Sequence, residues 1–331
     1  MGAALWRFWI MRARYGEGRR WLEAALAVEG EAPLLVRAKA DLVAGYLSAG
    51  QGVYLRSQPH LEEALALYRS AGSAEGVAMT LATLGILESY RGDLERAKEL
   101  DKESFERYRK LGDPWQFSSA LRALAADLFV RLLRGLAYEV DAKRGVALRE
   151  EALALCRKWG DSAGIALSLL GLGSLAIDQD DPERAVKYLK ESLVLAREVY
   201  AGIVPHILVS LGDAALIQGD NERALRVYKE ALVMCRETGQ ELTDTGVLEG
   251  MANLAAALKD DARAARLWGA LESALQVVSA TWTPEDLARD EPYLDAARSR
   301  LGEAAWEAVL AERRNMTLKE VIEYALGEAG G

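Results

Sequence analysis

The stretch Ser210–Leu225 reads SLGDAALIQGDNERAL, and the chain contains loose copies of it. Thr83–Lys98 reads TLGILESYRGDLERAK and Gly171–Val186 reads GLGSLAIDQDDPERAV. Each copy has Leu-Gly, then a polar pair ending in Asp, then Glu-Arg-Ala. Working outward, the small residue of the Leu-Gly pair recurs as Gly45, Gly85, Ala125, Gly173, Gly212 and Ala252, at spacings of 40, 40, 48, 39 and 40 residues. The alanine gives a second column: Ser57, Ala97, Gly145, Ala185, Ala224 and Ala264, spaced 40, 48, 40, 39 and 40. Two columns agreeing on one period identify an array of structural repeats.

The two columns stand twelve residues apart except in the third unit, where Ala125 and Gly145 are twenty apart. Eight extra residues therefore lie within 126–144, about two turns of helix at 3.6 residues per turn. Phe129, Arg131, Leu132, Leu133 and Arg134 fall in this insertion. They suit either a hairpin packed on itself or a projecting docking edge.

Each unit reads as two antiparallel helices. Gly52, Gly92, Gly219 and the polar pairs beside Asp181 and Asp260 supply the turns. Beyond the turn, apolar or small residues recur at 0, +3, +7, +8 and +11 from the alanine column, as in Ala224, Val227, Ala231, Leu232 and Cys235. They form one helical face. The small residue of the first helix lets the second approach closely, and a hairpin that cannot bury its apolar face alone must stack on neighbours. The expected fold is all-α: a right-handed solenoid of about six hairpins over 31–281. A partial repeat precedes it in 1–30, with Gly18, Trp21 and Leu26 on the packing stripe. The first residues, through Arg14, read as a helix whose upstream partner is missing. Capping helices follow in 282–331. There Thr283 and Pro284 open one helix, Thr317–Glu320 opens the last as a capping box, and Trp282, Tyr293, Trp306 and Tyr324 cover the final hairpin.

Composition bounds the function. The 331 residues are 51% hydrophobic and 27% charged, with a formal charge of −9. Non-specific nucleic-acid binding depends on Lys and Arg neutralising phosphates, so direct nucleic-acid binding is not expected. No apolar run approaches the ~20 residues needed to span a bilayer. Two cysteines do not make a disulfide framework, and a reducing cytoplasm fits. Cys156 and Cys235, two units apart in the +11 column, read as core thiols. His60 falls at +3 of the apolar stripe and reads as a packed or partly exposed histidine. No H-E-x-x-H, Cys-x-x-Cys or P-loop occurs, so no metal or cofactor is expected. The acid pairs Asp180-Asp181 and Asp260-Asp261 fall at turns, where solvated residues are the ordinary reading.

The columns carry a resemblance. Leu-Gly, an alanine twelve residues on and another small residue seven later (Leu84, Gly85, Ala97 and Ser104; Leu211, Gly212, Ala224 and Ala231) resemble the tetratricopeptide repeat. The period of about 40 instead of 34, and the missing proline at the end of the second helix, depart from the usual pattern. These departures resemble the long-helix arrays of large bacterial signalling ATPases and LuxR-type transcription regulators. The start (LWRFWIMRARYGEGRRWLEAAL) and the end (AARLWGALESAL, then LGEAAWEAVLAERRNMTLKEVIEYAL) favour the same group.

The resemblance implies a concave groove lined by first helices, at positions −6, −3, +1, +4 and +5 from the small residue. On this chain those positions include Lys39, Tyr46, Ser89, Tyr90, Ser119 and Arg122, then Ser174, Asp178, His206, Asp213, Glu249 and Asn253. The candidate ligand-binding residues are Lys39, Tyr46, Tyr90, Arg122, Asp178, His206, Asp213, Glu249 and Asn253. They are basic and aromatic early, acidic late; a solvated helix face would also be polar. The lysine-and-asparagine carboxylate clamp of some relatives is not reproduced. The implied function is non-enzymatic recognition of a protein, a peptide or a small inducer, as the sensor arm of a bacterial signalling or transcription regulator. A stand-alone adaptor that scaffolds protein partners is the alternative. An enzyme sited in the groove is a third reading, without a nucleophile or triad to support it.

Overall fold

The computed structural model describes residues 8–9, 12–28, 32–111, 146, 149–150, 153–154, 156–158, 160, 162–238, 241–277, 284–313 and 318–327. Among them are fourteen α-helices and no strands. α1 (Tyr15–Leu26) precedes the hairpin α2 (Leu34–Gly50)/α3 (Tyr54–Ser70) and the hairpin α4 (Ala74–Arg91)/α5 (Leu94–Leu111). Three more hairpins follow: α6 (Ser162–Asp178)/α7 (Pro182–Val199), α8 (Val204–Ile217)/α9 (Asn221–Thr238) and α10 (Glu241–Ala257)/α11 (Asp261–Val277). α12 (Pro284–Leu301), α13 (Glu303–Arg313) and α14 (Leu318–Leu326) close the chain. The insertion within 126–144 lies outside the described residues, as do Thr283 and Thr317, although the helices they were expected to open begin where the sequence places them, at Pro284 and Leu318.

One turn chemistry makes all five described hairpins. The residue seven beyond the small column has a left-handed backbone: Gly52, Gly92, Asp180, Gly219 and Lys259, with φ of 76°, 83°, 55°, 74° and 62°. Its N–H and the next reach back to the helix just ended, as Gly219 N to Leu216 O at 3.0 Å and Asp220 N to Ala215 O at 2.9 Å. This is the Schellman closure that satisfies the last carbonyls of a helix. The following aspartate then caps the next helix. Asp93, Asp181, Asp220 and Asp260 each accept from the backbone N–H of an arginine three residues on, at 3.0–3.2 Å. The Asp of the repeated GDxERA-like motif is thus explained by capping, and its Ala by packing.

Ala97, Ala185, Ala224 and Ala264 are at most 1% exposed. Their helices sit so close to the preceding one that a Cβ on Gly45 would lie 2.6 Å from Leu61, and one on Gly173 2.6 Å from Leu189. The side chain over the small residue stands at +4 from the alanine column, as Leu61, Leu189 and Tyr228 do. The sequence reading placed +3 on this face instead. At 100° per residue, 0, +4, +7 and +11 fall within a 60° stripe, whereas +3 lies 60° to one side; there Leu100 and Leu267 are buried, but His60, Tyr188 and Val227 are only half-buried. The same geometry corrects the first repeat: α1 buries Tyr15, Gly18 and Leu22, and Trp21 is 66% exposed. Buried serines add a second regularity at +7. Ser104 Oγ donates to Ala78 O at 2.8 Å and Ser192 Oγ to Ala166 O at 2.7 Å, each tying a second helix to its first.

Hairpins stack through second-to-first helix contacts, α3 on α4, α7 on α8 and α9 on α10. First helices also touch one another, α2 with α4, α6 with α8 and α8 with α10. Neighbouring second helices stand farther apart, bridged by long side chains such as Arg157–Glu191 (2.9 Å) and Arg197–Glu230 (2.6 Å). The first helices therefore form the inner layer. These bridges are solvent-exposed and worth at most about 1 kcal/mol each. Cys156 and Cys235 are buried thiols. His60 is half-buried, with Nδ1 2.8 Å from the Asp41 carboxylate.

One junction breaks the pattern. Between units the chain turns at left-handed Gly72 and Gly160, but the equivalent position after α7 is Tyr200, with φ −147° and ψ 68°. A 3-10 turn, Ala201–Ile203, follows before α8 starts. This is where the period shortens to 39 residues. Tyr200 is buried, and it lies close enough to Tyr46 on α2 to affect the ionisation of that phenol.

At the far end α12, α13 and α14 all pack on α11. Trp306 is 1% exposed, and Gly269 meets the backbone of Leu310. Tyr293 and Tyr324 are half-buried against the core; Trp282 lies outside the described residues. Among the described residues no helix is long and apolar enough to cross a membrane.

Candidate functional site

The inner layer sorts the candidate residues into three groups. In the first half Lys39 is exposed on α2, and Tyr46 is half-buried. Burial raises the Tyr46 phenol above its ordinary range, and the neighbouring Tyr200 offsets part of that rise. Tyr90 belongs to α4, but its side chain is outside the described residues, and Ser119 and Arg122 lie outside them altogether. Ser89 Oγ donates to Gly85 O at 3.0 Å, and Ser174 Oγ to Leu170 O at 3.2 Å. Such bonds to the preceding turn use the hydroxyl proton within the same helix, and Ser174 Oγ also lies 3.5 Å from Ser210 Oγ on α8.

Asp178 and His206 form the middle. Asp178 ends α6, half-buried. His206, in the first turn of α8, has a pKa lowered to about 4, because burial outweighs the hydrogen bond the ring donates to the Gly202 backbone. The imidazole is therefore neutral at physiological pH.

The third group converges. Asp213 on α8 accepts a hydrogen bond from the Tyr228 hydroxyl at 2.6 Å. Burial raises Tyr228 well above 10, and the charges of Asp213 and Glu249 act in the same direction. Asn253, one turn beyond Glu249 on α10, donates from Nδ2 to Asp290 Oδ1 at 2.8 Å. Asn253 is 7% exposed and Asp290 1%. Tyr293, a turn after Asp290 on α12, is raised by burial and then by Asp213 and Asp290. Asp213, Glu249 and Asn253, predicted from groove register alone, thus share one site with Tyr228, Asp290 and Tyr293.

Sequence reading missed those last three as site members. Tyr228 sits on a second helix, at the +4 position, where the expected role is packing. Its ring fills a slot between Gly212 and Gly250, and a Cβ at Gly250 would lie 2.6 Å from it. Gly212 belongs to the small-residue column, but Gly250 stands two residues before Ala252, outside that column, so the repeat register gave no sign of the slot. Asp290 and Tyr293 come from α12, outside the repeat register, and only the docking of that helix on α10 brings them in.

The site offers the half-buried carboxylates Asp213 and Glu249, the buried carboxylate Asp290 and two protonated tyrosine hydroxyls. Its chemistry complements a cationic or hydrogen-bond-donating group. Among the described residues no cluster of His, Cys, Asp and Glu has the geometry to hold a metal ion.

Comparison with known proteins agrees with this architecture. The tetratricopeptide-repeat family model matches residues 36–110. Among solved structures, the chain is similar to a Rap protein complexed with Competence and Sporulation Factor, at 14% identity and a TM-score of 0.58 over 98% of each chain. A signal transduction ATPase with numerous domains and a tetratricopeptide repeat sensor, from Pyrococcus horikoshii, aligns at 16% identity and a TM-score of 0.46. That alignment spans 84% of this chain and 44% of the other. No curated protein matches by sequence. The chain is an all-α solenoid of tetratricopeptide-like helical hairpins.

Proposed function

We propose that this chain is a recognition arm whose inner layer binds a protein or peptide segment, and that binding regulates a signal-transduction or transcription process. The observation that carries the proposal is the convergence of Asp213, Glu249 and Asn253 with Tyr228, Asp290 and Tyr293 in the inner layer. A packing surface has no use for several carboxylates near one buried and one half-buried phenol. A groove that takes up a positively charged segment does, since paired opposite charges recover the cost of removing each from water. The complex of the structurally similar Rap protein with Competence and Sporulation Factor and the tetratricopeptide-like repeats support recognition as the activity. The resemblance of the 40-residue units to sensor arrays of signalling proteins supports the regulatory role. The buried thiols Cys156 and Cys235 suit a cytoplasmic setting.

The experiment is selection from a display library of random octapeptides, followed by calorimetric titration of the selected sequences. Enrichment of Lys and Arg is expected, with at least about tenfold weaker binding to Asp213→Asn/Glu249→Gln, in line with the effect of removing partners from a buried charge pair. Unchanged binding in that double variant would overturn the assignment. A regulatory role further requires that a bound peptide slow amide exchange in the inner helices.

A further inference from the structure

In two columns of the repeat, the first hairpin alone departs from apolar or aromatic side chains. Four residues before the small residue of the first helix, every later unit has leucine: Leu81, Leu121, Leu169, Leu208 and Leu248. The described ones are at most 2% exposed. The first hairpin has Asp41 there, and it too is buried, at 5%. Three residues after the alanine column, the later units have Leu100, Leu148, Tyr188, Val227 and Leu267, and the first has His60. The two exceptions meet: His60 Nδ1 donates to Asp41 Oδ1 at 2.8 Å. Asp41 Oδ2 is buried and accepts no hydrogen bond among the described residues. The carboxylate therefore depends on His60.

Such a pair is a poor source of stability. Taking a carboxylate out of water is costly, and apolar residues in place of a buried ionisable pair are often neutral or stabilising. The later hairpins carry an apolar pair at these positions, so the fold does not demand a polar one. What sets the pair apart is that each member suits the other and little else. Arrays of similar units are prone to misassembly, in which a helix packs on the wrong unit or on a second copy. Apolar columns do not prevent it: Leu208 fits against Leu100 or Leu267 as readily as against Val227. α2 is different. Packed on α5, α9 or α11, it would bury Asp41 opposite Leu100, Val227 or Leu267, none of which offers a donor. α3 packed on α4, α6, α8 or α10 would set His60 opposite a leucine.

We propose that Asp41 and His60 form a recognition pair that commits α2 to α3 during folding and blocks exchange of either helix with other units or with a second copy of the chain. A single buried polar residue fixes register and partner number in coiled coils by the same means. The device is independent of the inner-layer site.

The test refolds the full chain from urea at micromolar concentration and reads the products by sedimentation velocity. Asp41→Leu/His60→Leu is expected to have a higher urea midpoint than His60→Leu, which strands the buried carboxylate. The double variant should nonetheless give at least about threefold more dimer and aggregate on refolding than the wild type. Asp41→Asn keeps an acceptor for His60 and should refold to monomer as the wild type does. Refolding of the double variant with the wild-type yield of monomer overturns the proposal. A double variant less stable than His60→Leu overturns it too, because the pair would then serve stability. So does a dimer that forms when the double variant is concentrated without ever being unfolded, since surface association at position 60 would account for it.

Discussion

Replacing Gly212 with alanine sets two effects of opposite sign against each other. In an unconstrained helix interior, Gly→Ala stabilises by about 0.8–1 kcal/mol through backbone entropy. At Gly212 the new methyl would run into the Tyr228 ring. That ring has nowhere to retreat: Gly250 lies against its other face, where a Cβ would be 2.6 Å away, and its hydroxyl is held 2.6 Å from Asp213. Overpacking of this kind costs about 1–3 kcal/mol, and displacing the ring also weakens a hydrogen bond to a charged acceptor, worth about 1.5–3 kcal/mol. The expected net effect is destabilisation of about 1–3 kcal/mol, read as a lowered urea midpoint. Gly246→Ala supplies the control. It lies on the neighbouring helix α10, and nothing stands within 4 Å of its added Cβ, so it should gain up to about 1 kcal/mol. Tyr228→Leu in the Gly212→Ala background should restore part of the loss. A neutral or stabilising Gly212→Ala, together with a stabilising Gly246→Ala, would refute the ring-in-slot reasoning.

Other outcomes follow from the same geometry. Lys259→Gly at φ 62° should stabilise by roughly 0.5–1 kcal/mol, since a left-handed residue with a Cβ costs about 1–2 kcal/mol and glycine returns part of it as chain entropy; Gly219→Lys, in the same column, should lower the thermal midpoint. Leu211→Ala, at a position 5% exposed, should cost about 2–5 kcal/mol by urea denaturation. Ser192→Ala, which leaves Ala166 O without its 2.7 Å donor, should cost about 1 kcal/mol. His206 has a folded-state pKa of about 4, below its unfolded value of 6.5. The unfolded chain therefore binds more protons between these values, and the contribution of His206 to stability is full above pH 6.5 and is lost as pH falls toward 4. His206→Gln should flatten that part of the urea-midpoint-versus-pH curve.

The sequence made the array legible because its signals are local and repeated. A left-handed turn residue, an aspartate cap and an alanine against a glycine recur in fixed order, so the columns reinforce one another even where Asp180 and Lys259 replace glycine. What it left obscure depends on exact angle or on packing from outside the register. Trp21 reads as stripe because +3 and +4 differ by only 100°, and only packing decides which turns inward. The inner-layer positions Asp213, Glu249 and Asn253 follow from register, whereas Asp290 and Tyr293 depend on how α12 docks. Ser89 and Ser174 occupy groove positions in register, yet their hydroxyls turn back to their own helices. Neither outcome is written in local sequence.

The approach of Tyr200 to Tyr46 changes what kind of object the array is. A solenoid whose units touch only their neighbours behaves like a zipper, opened from either end one tooth at a time. A contact between the first hairpin and the junction before α8 joins two places 154 residues apart in the chain, so that stretch of zipper is also fastened by a buckle.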